Sequence, residues 1–142
     1  MNSHLNKVRQ WAMFRSTTAT AANGVVPLVL RGQDATNAHS VASGVVDLLA
    51  NKTYVISAGL PNDTTSGKLK VIGINQSLDG GATWALIWGG GMSLATGGIS
   101  SANASGTSIT DVFTTTVPTK LRLNTSTNGL AAGAWLRCEV MG

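Results

Sequence analysis

Chemistry in a protein needs a few residue types close together, and this chain is poor in them. It has two histidines (His4 and His39), one cysteine (Cys138), five aspartates and one glutamate. A bound metal needs clustered His, Cys or carboxylate ligands, most legible at short spacings. His4 stands near the N-terminus, His39 in a polar stretch and Cys138 near the C-terminus, so no ligand motif forms. Serine is abundant, but no G-x-S-x-G elbow presents one as a nucleophile. Paired carboxylates for glycoside hydrolysis would have to come from the six acids, of which Asp47, Asp63 and Asp79 lie in or near turn-forming stretches. Trp88-Gly89-Gly90-Gly91-Met92 is glycine-rich yet lacks the Gly-Lys-Ser/Thr that completes a phosphate loop. These residues predict a protein without catalytic activity, cofactor or metal.

The most ordered local pattern is Ser77-Leu78-Asp79-Gly80-Gly81-Ala82-Thr83-Trp84, which fits S-x-D-x-G-x-T-W at every fixed position. Residues 68–75 before it are apolar and β-branched and predict a strand; residues 77–81 predict the turn, and residues 83–88 the return strand. Asp79 can accept backbone N–H groups across the turn, and the glycines can take positive φ there. Trp84, Leu86 and Trp88 then share one face of the second strand. The octapeptide resembles the Asp-box, a hairpin motif first associated with sialidases and found in several unrelated β folds. That resemblance implies a folding element made by Ser77, Asp79, Gly81, Thr83 and Trp84, distant from any catalytic centre. Sialidases are multi-bladed propellers whose blades need roughly 40–50 residues each, whereas this chain has 142 residues and carries the box once. Trp84, Trp88 and Trp135 would be the members of a sugar-stacking platform; Trp84 is expected to pack on its own hairpin instead.

Composition sets the class. Only 11% of residues are charged and 5% aromatic, with Gly, Thr, Ser, Ala and Asn filling the rest. A well-solvated monomer surface usually carries about 25–35% charged residues, so part of this surface is expected to be hidden in an assembly. The net charge of +4 is uneven: Lys7, Arg9 and Arg15 sit in the first fifteen residues with no acid, while the remainder holds seven basic against six acidic residues. A body that close to neutral offers no basic face for nucleic acid. Cys138 is alone, so no intrachain disulfide forms, and alternation places it on an apolar face. No run approaches the roughly 18 apolar residues of a membrane span. No apolar segment follows the N-terminal charges, so a secretory signal is not expected and synthesis in a cytoplasm is.

Residues 1–24 read as an N-terminal arm and linker, and 25–142 as the domain. In the arm, Leu5, Trp11, Met13 and Phe14 are the large apolar residues and Lys7, Arg9 and Arg15 the cations; it is expected to be extended or a short helix, docked on its own body or on a partner chain. Strands are expected at 25–31, with Pro27 calling for an edge or starting position, and at 45–49 and 53–58, joined as a hairpin at Ala50-Asn51-Lys52. The turn-rich stretch 59–67 precedes the Asp-box hairpin. Residues 89–106, with six glycines, form a long loop in which Met92, Leu94 and Ile99 supply apolar contacts; it is expected to be an oligomer element. Strands follow at 107–117 and 119–124, with Leu121 and Leu123 inward against Lys120 and Arg122 outward, and at the C-terminus, with Ala134, Leu136, Cys138 and Val140 inward. About eight strands without a long helix predict an all-β antiparallel sandwich of jelly-roll type, with an immunoglobulin-like sandwich as the second arrangement.

A basic apolar arm, a low-charge Gly/Thr/Ala-rich β body and no catalytic constellation together resemble the small β-structured virion proteins of tailed bacteriophages, in particular capsid decoration (cement) proteins. The resemblance implies a homo-oligomer, expected to be a trimer, that binds the major capsid protein or another virion protein, with the virion as its location and neither nucleic acid nor membrane as partner. A receptor- or glycan-binding module of a tail or fibre is the alternative, and a small hydrolase a third reading from a different class.

Overall fold

Where apolar and polar residues alternate most regularly among the described residues, the chain forms strands, as in Val45–Leu48, Thr119–Thr125 and Trp135–Val140. The computed structural model describes residues 10–34, 39–61, 70–87, 92–94, 108–125 and 128–141. Among them the strands are β1 (Trp11–Ser16), β2 (Leu28–Gln33), β3 (Val41–Ala42), β4 (Val45–Leu48), β5 (Thr53–Gly59), β6 (Lys70–Ser77), β7 (Ala85–Leu86), β8 (Met92–Leu94), β9 (Ser108–Thr114), β10 (Thr119–Thr125) and β11 (Trp135–Val140). They form two sheets, one ordered β2-β1-β11-β5-β9 and the other β3-β4-β10-β6-β7 with β8 also on β6. All pairings are antiparallel. The protein is an all-β sandwich of jelly-roll type.

Both sheets turn one apolar face inward. Phe14, Tyr54 and Leu136 from one sheet meet Val46, Ile72, Leu121 and Leu123 from the other, all fully or almost fully buried. β10 and β11 keep strict alternation, so Leu121, Leu123, Leu136 and Cys138 are buried while Lys120, Arg122, Trp135 and Arg137 face out. Burial pushes the Cys138 thiol up to about 12, which leaves it a small apolar core residue.

The expected division at residue 24 is corrected. Trp11–Ser16 is no arm: β1 lies inside its sheet, between β2 and β11, with Phe14 opposite Leu136 and Ala12 opposite Cys138. The competing helical stripe lost because Ala12, Phe14 and Ser16 repeat at period two and meet a matching inward row on β11. Residues 17–24 are not a free linker either. Thr20 bridges Leu130, and the Thr125 hydroxyl donates to the Ala21 carbonyl (2.6 Å) while accepting the Gly24 N–H (2.9 Å). Leu5, Lys7 and Arg9 lie outside the described residues.

Two expected local units are also corrected. The strand expected at 25–31 is divided between the sheets. The Val26 N–H bonds to the Leu123 carbonyl of β10, Pro27 has no N–H to continue that ladder, and from Leu28 the chain pairs with β1. β4 and β5 do not pair as a hairpin, because Leu49–Lys52 carries the chain from one sheet to the other. Asn51 takes positive φ (57°). The Thr115 hydroxyl donates to the Leu49 carbonyl (2.6 Å) and accepts the Lys52 N–H (3.1 Å), and the Tyr54 hydroxyl accepts the Leu49 N–H (2.9 Å). Side chains of the β5–β9 sheet thus satisfy the backbone groups that a two-stranded turn would have paired.

Tyr54 also reaches His39, whose Nε2 lies 2.8 Å from its hydroxyl with the rings edge to face. His39 is buried, and burial pushes its pKa below the ordinary 6.5, opposed by the nearby Asp34 carboxylate. A folded-state pKa below the unfolded value means that the unfolded chain binds the proton more readily. The contribution of His39 is therefore fully present above about 6.5 and is lost as the pH falls below it. Urea unfolding midpoints should decline from pH 7 to pH 5, and His39→Asn should flatten that decline. Phe14→Ala should destabilise by about 3–5 kcal/mol in the same assay. A chain lacking residues 1–16 should give no cooperative transition, whereas an intact β body from that truncation would restore the arm reading.

Candidate functional site

The turn after β6 is built by the residues singled out in the sequence. The Ser77 hydroxyl donates to Asp79 Oδ1 (2.7 Å) and accepts the Gly81 N–H (2.8 Å). Asp79 accepts the Thr83 N–H (2.9 Å) on one oxygen and the Thr83 hydroxyl (2.5 Å) on the other. Gly80 and Gly81 take φ of 74° and 97°, where a side chain would be strained. The Trp84 indole N–H donates to the Gly81 carbonyl (3.1 Å). The Thr83 hydroxyl above all, then the Thr83 amide and the Ser77 hydroxyl, hold the Asp79 carboxyl down to about 2. Ser77, Asp79, Gly81, Thr83 and Trp84 are therefore one hydrogen-bonded unit.

The return strand is shorter than residues 83–88. Ala85 and Leu86 pair with β6, the Ile87 N–H donates to the Ile74 carbonyl (3.0 Å), and Trp88 lies outside the described residues. Trp84 packs on its own hairpin, but on the outer face of the sheet rather than in the core. The Arg122 guanidinium lies over its ring, 4.0 Å from the centroid. Leu86, opposite Asn75, is 53% exposed beside it.

Between this turn and the β3–β4 edge lies a groove of about 330 Å³, walled by Ala42 and Val45 on one side and by Gly80, Gly81 and Trp84 on the other. Lys120, Arg122 and Asp47 also line it. Lys120 Nζ pairs with Asp47 Oδ1 at 2.6 Å, and the Ser40 hydroxyl donates to Asp47 Oδ2 at 3.0 Å. Arg122 Nε donates to Asn124 Oδ1 at 3.1 Å, and Asn124 in turn accepts from Asn75. A second hollow of about 390 Å³ continues past Lys120 and Asp47 toward Leu78, Asp79 and Pro118. The outward alternation of Lys120 and Arg122 was legible in the sequence. Their meeting with Asp47 and Trp84 was not, because it depends on β4, β10 and the turn being neighbours.

The outer face of the other sheet has a different character. Cross-strand registers place Trp11, Glu139, Val55 and Val112 in one row and Met13, Arg137, Ser57 and Thr110 in the next. Trp135 lies over Gly59, where an added Cβ would fall 2.2 Å from its indole nitrogen, so the tryptophan requires glycine there. Trp11 packs near Gly32 and Arg137. Arg137 and Glu139 pair at 2.7 Å, and hydroxyl pairs Ser57–Thr110 and Thr53–Thr114 lie toward the β9 edge. Val112 is 59% exposed. Of the residues expected to bind a partner through an arm, Trp11, Met13 and Arg15 lie on this face as part of the body, while Phe14 is in the core.

The expected oligomer loop falls largely outside the described residues, Ile99 included. Met92 and Leu94 belong to a short strand, β8, paired with the edge of β6 rather than to a structureless loop. Among the described residues no group of three His, Cys, Asp or Glu could hold a metal ion, and no helix is long and apolar enough to cross a membrane.

No family profile matches the sequence, and no curated protein does. Solved structures do match the fold. Murine APRIL at pH 8.0 superposes with a TM-score of 0.67 at 8% identity, covering 94% of this chain and 100% of that one. The PRD1 vertex protein P5 superposes with a TM-score of 0.57 at 15% identity, covering 93% of this chain and 94% of its own. Identities this low establish a shared jelly-roll sandwich, one that also serves a virion vertex protein.

The turn generates its own test. Asp79→Ala should lower the thermal midpoint measurably, because it leaves the Thr83 amide and hydroxyl without their acceptor, while Asp111→Ala on the exposed β9 should change it little. The Asp79 pKa is depressed on folding, so its contribution is full above the ordinary value of about 3.8 and is lost as the pH falls toward about 2. An unchanged midpoint for Asp79→Ala would remove the structural role of the turn.

Proposed function

We propose that this protein is a structural component of a virion, of the capsid decoration type, working as a homo-oligomer bound to the major capsid protein or another virion protein. The observation that carries this reading is the outer face of the β2-β1-β11-β5-β9 sheet. Trp11, Met13, Trp135, Val55 and Val112 lie together there around the Arg137–Glu139 pair, with Arg15 beside Trp135, in a chain with only 11% charged residues. Aromatic residues and methionine are enriched at protein interfaces, and charges are depleted from their centres. The hydroxyl pairs toward β9 spend their hydrogen bonds within the sheet and so lower the cost of removing that part from water. The full-length fold likeness to a virion vertex protein supports the same setting. A closed oligomer, expected to be a trimer, would hide this face and leave the β3-β4-β10-β6-β7 sheet outward.

Val112→Asp is the test, since Val112 is exposed in the monomer and its replacement leaves the core untouched. Burying an unpaired carboxylate in an interface costs several kcal/mol, so the association constant should fall by about two orders of magnitude or more. Light scattering on the eluting protein should show wild-type oligomer and variant monomer with the same circular dichroism. Co-sedimentation with particles lacking the protein should then be lost or weakened in the variant. A monomeric wild type would overturn the oligomer, and full attachment of the variant would move the contact to another face.

A further inference from the structure

We propose that the groove between the Ser77–Trp84 turn and the β3–β4 edge is a binding site for a carboxylated sugar residue, such as a hexuronate in an acidic glycan. The inference does not depend on the virion setting and adds a ligand to a face which that reading leaves outward.

The groove has hydrogen-bond donors in excess. Lys120 carries three donors, one of which goes to Asp47. Arg122 carries a fork of five N–H groups, of which Nε–H goes to Asn124, while its terminal nitrogens have no partner among the described residues. Lys120 and Arg122 share the groove with one lining carboxylate, Asp47, while Asp79, held by Thr83 and Ser77, keeps its charge in the adjoining hollow. The complementary ligand is therefore rich in acceptors and offers a carboxylate to the open Arg122 fork.

Arg122 is also oriented in advance. Trp84 below it and Asn124 at its Nε fix the plane of the guanidinium, and a fixed fork recognises a carboxylate through two parallel N–H···O bonds. Orientation before binding reduces the entropy lost on capture. Asp47 retains acceptor capacity beside Lys120, which suits ligand hydroxyls. Ala42 and Val45 supply an apolar wall for the C–H face of a pyranose, opposite Trp84 and the Arg122 stacked on it. At about 330 Å³ the groove is at the small end of ligand pockets, the size for one ring rather than a long segment. An acidic peptide would share the carboxylate but would leave the hydroxyl-accepting and ring-facing parts of the groove unused.

The experiment is titration of the full-length protein with galacturonate oligosaccharides, followed by the Trp84 indole N–H resonance and by tryptophan fluorescence. Neutral galactose oligosaccharides, sodium acetate and an aspartate-rich peptide are the parallel probes. Saturable binding of the uronate oligomers, stronger than any of the three, is the expected result. Arg122→Lys keeps the charge and removes the fork, so affinity should fall about tenfold. Val45→Trp fills the groove from the opposite wall, leaves the Arg122 and Trp84 residues themselves unchanged, and should abolish binding with an unchanged melting midpoint. The proposal is overturned if the uronates do not saturate, if neutral sugar, acetate or peptide binds as well, or if both variants bind as the wild type does.

Discussion

The pairing of β1 with β11 is the constraint on which the sandwich depends. β11 is flanked by β1 on one side and β5 on the other, so it joins the β1–β2 pair to the β5–β9 pair. Without that ladder the five-stranded sheet falls into the β1–β2 ribbon and the three-stranded β11-β5-β9 sheet, and a two-stranded ribbon is marginal in water. The same ladder puts Phe14 and Ala12 over the core beside Leu136 and Cys138. It also composes the outer face, because Trp11, Met13, Trp135 and Arg137 alternate with those core residues. The interior packing and the surface proposed for assembly are thus two sides of one register. A one-residue slip in it would exchange them.

The sequence was most legible where a residue's environment follows from its immediate neighbours. Period-two alternation told Leu121 and Leu123 from Lys120 and Arg122, and put Cys138 inside. The Ser77–Trp84 turn was readable because its acceptors and donors lie within a few residues of one another. Legibility failed where a segment's partner is remote. Trp11–Ser16 looked like an arm because the strand that makes it interior to its sheet, β11, is remote in the chain. Val45–Leu48 and Thr53–Gly59 looked like a hairpin because alternation reports the buried face of a strand but not the sheet it joins. His39 looked like a loop residue, and Tyr54 turned it inward.

The two outer faces divide the chain's few charges between them. On the sheet containing β1, the Arg137–Glu139 pair neutralises itself at close range and leaves Trp11, Trp135 and Val112 around it. On the sheet containing β10, Lys120 and Arg122 stand with Asp47 in one groove, and Asp79 keeps its charge in the adjoining hollow. Hydroxyl and amide donors already satisfy Asp79, so it does not compete for the Arg122 fork. A low overall charge therefore does not make a uniform surface. One outer face carries a closed ion pair among aromatic residues, and the other an arginine stacked on a tryptophan beside the turn.

The position of β11 also has a consequence during synthesis. A chain leaves the ribosome from its N-terminus at about 5–20 residues per second. β1, β2, β5 and β9 all emerge before the strand that unites them, and the edges of β1 and β5 that receive it stay open until the segment up to Val140 is free of the exit tunnel. For those seconds the nascent protein exposes Trp11 and Phe14 together, on opposite faces of a strand with no partner on one side. This jelly-roll cannot be completed progressively as it is made. It closes in one late step, and open strand edges before that step are a hazard when many copies are made side by side.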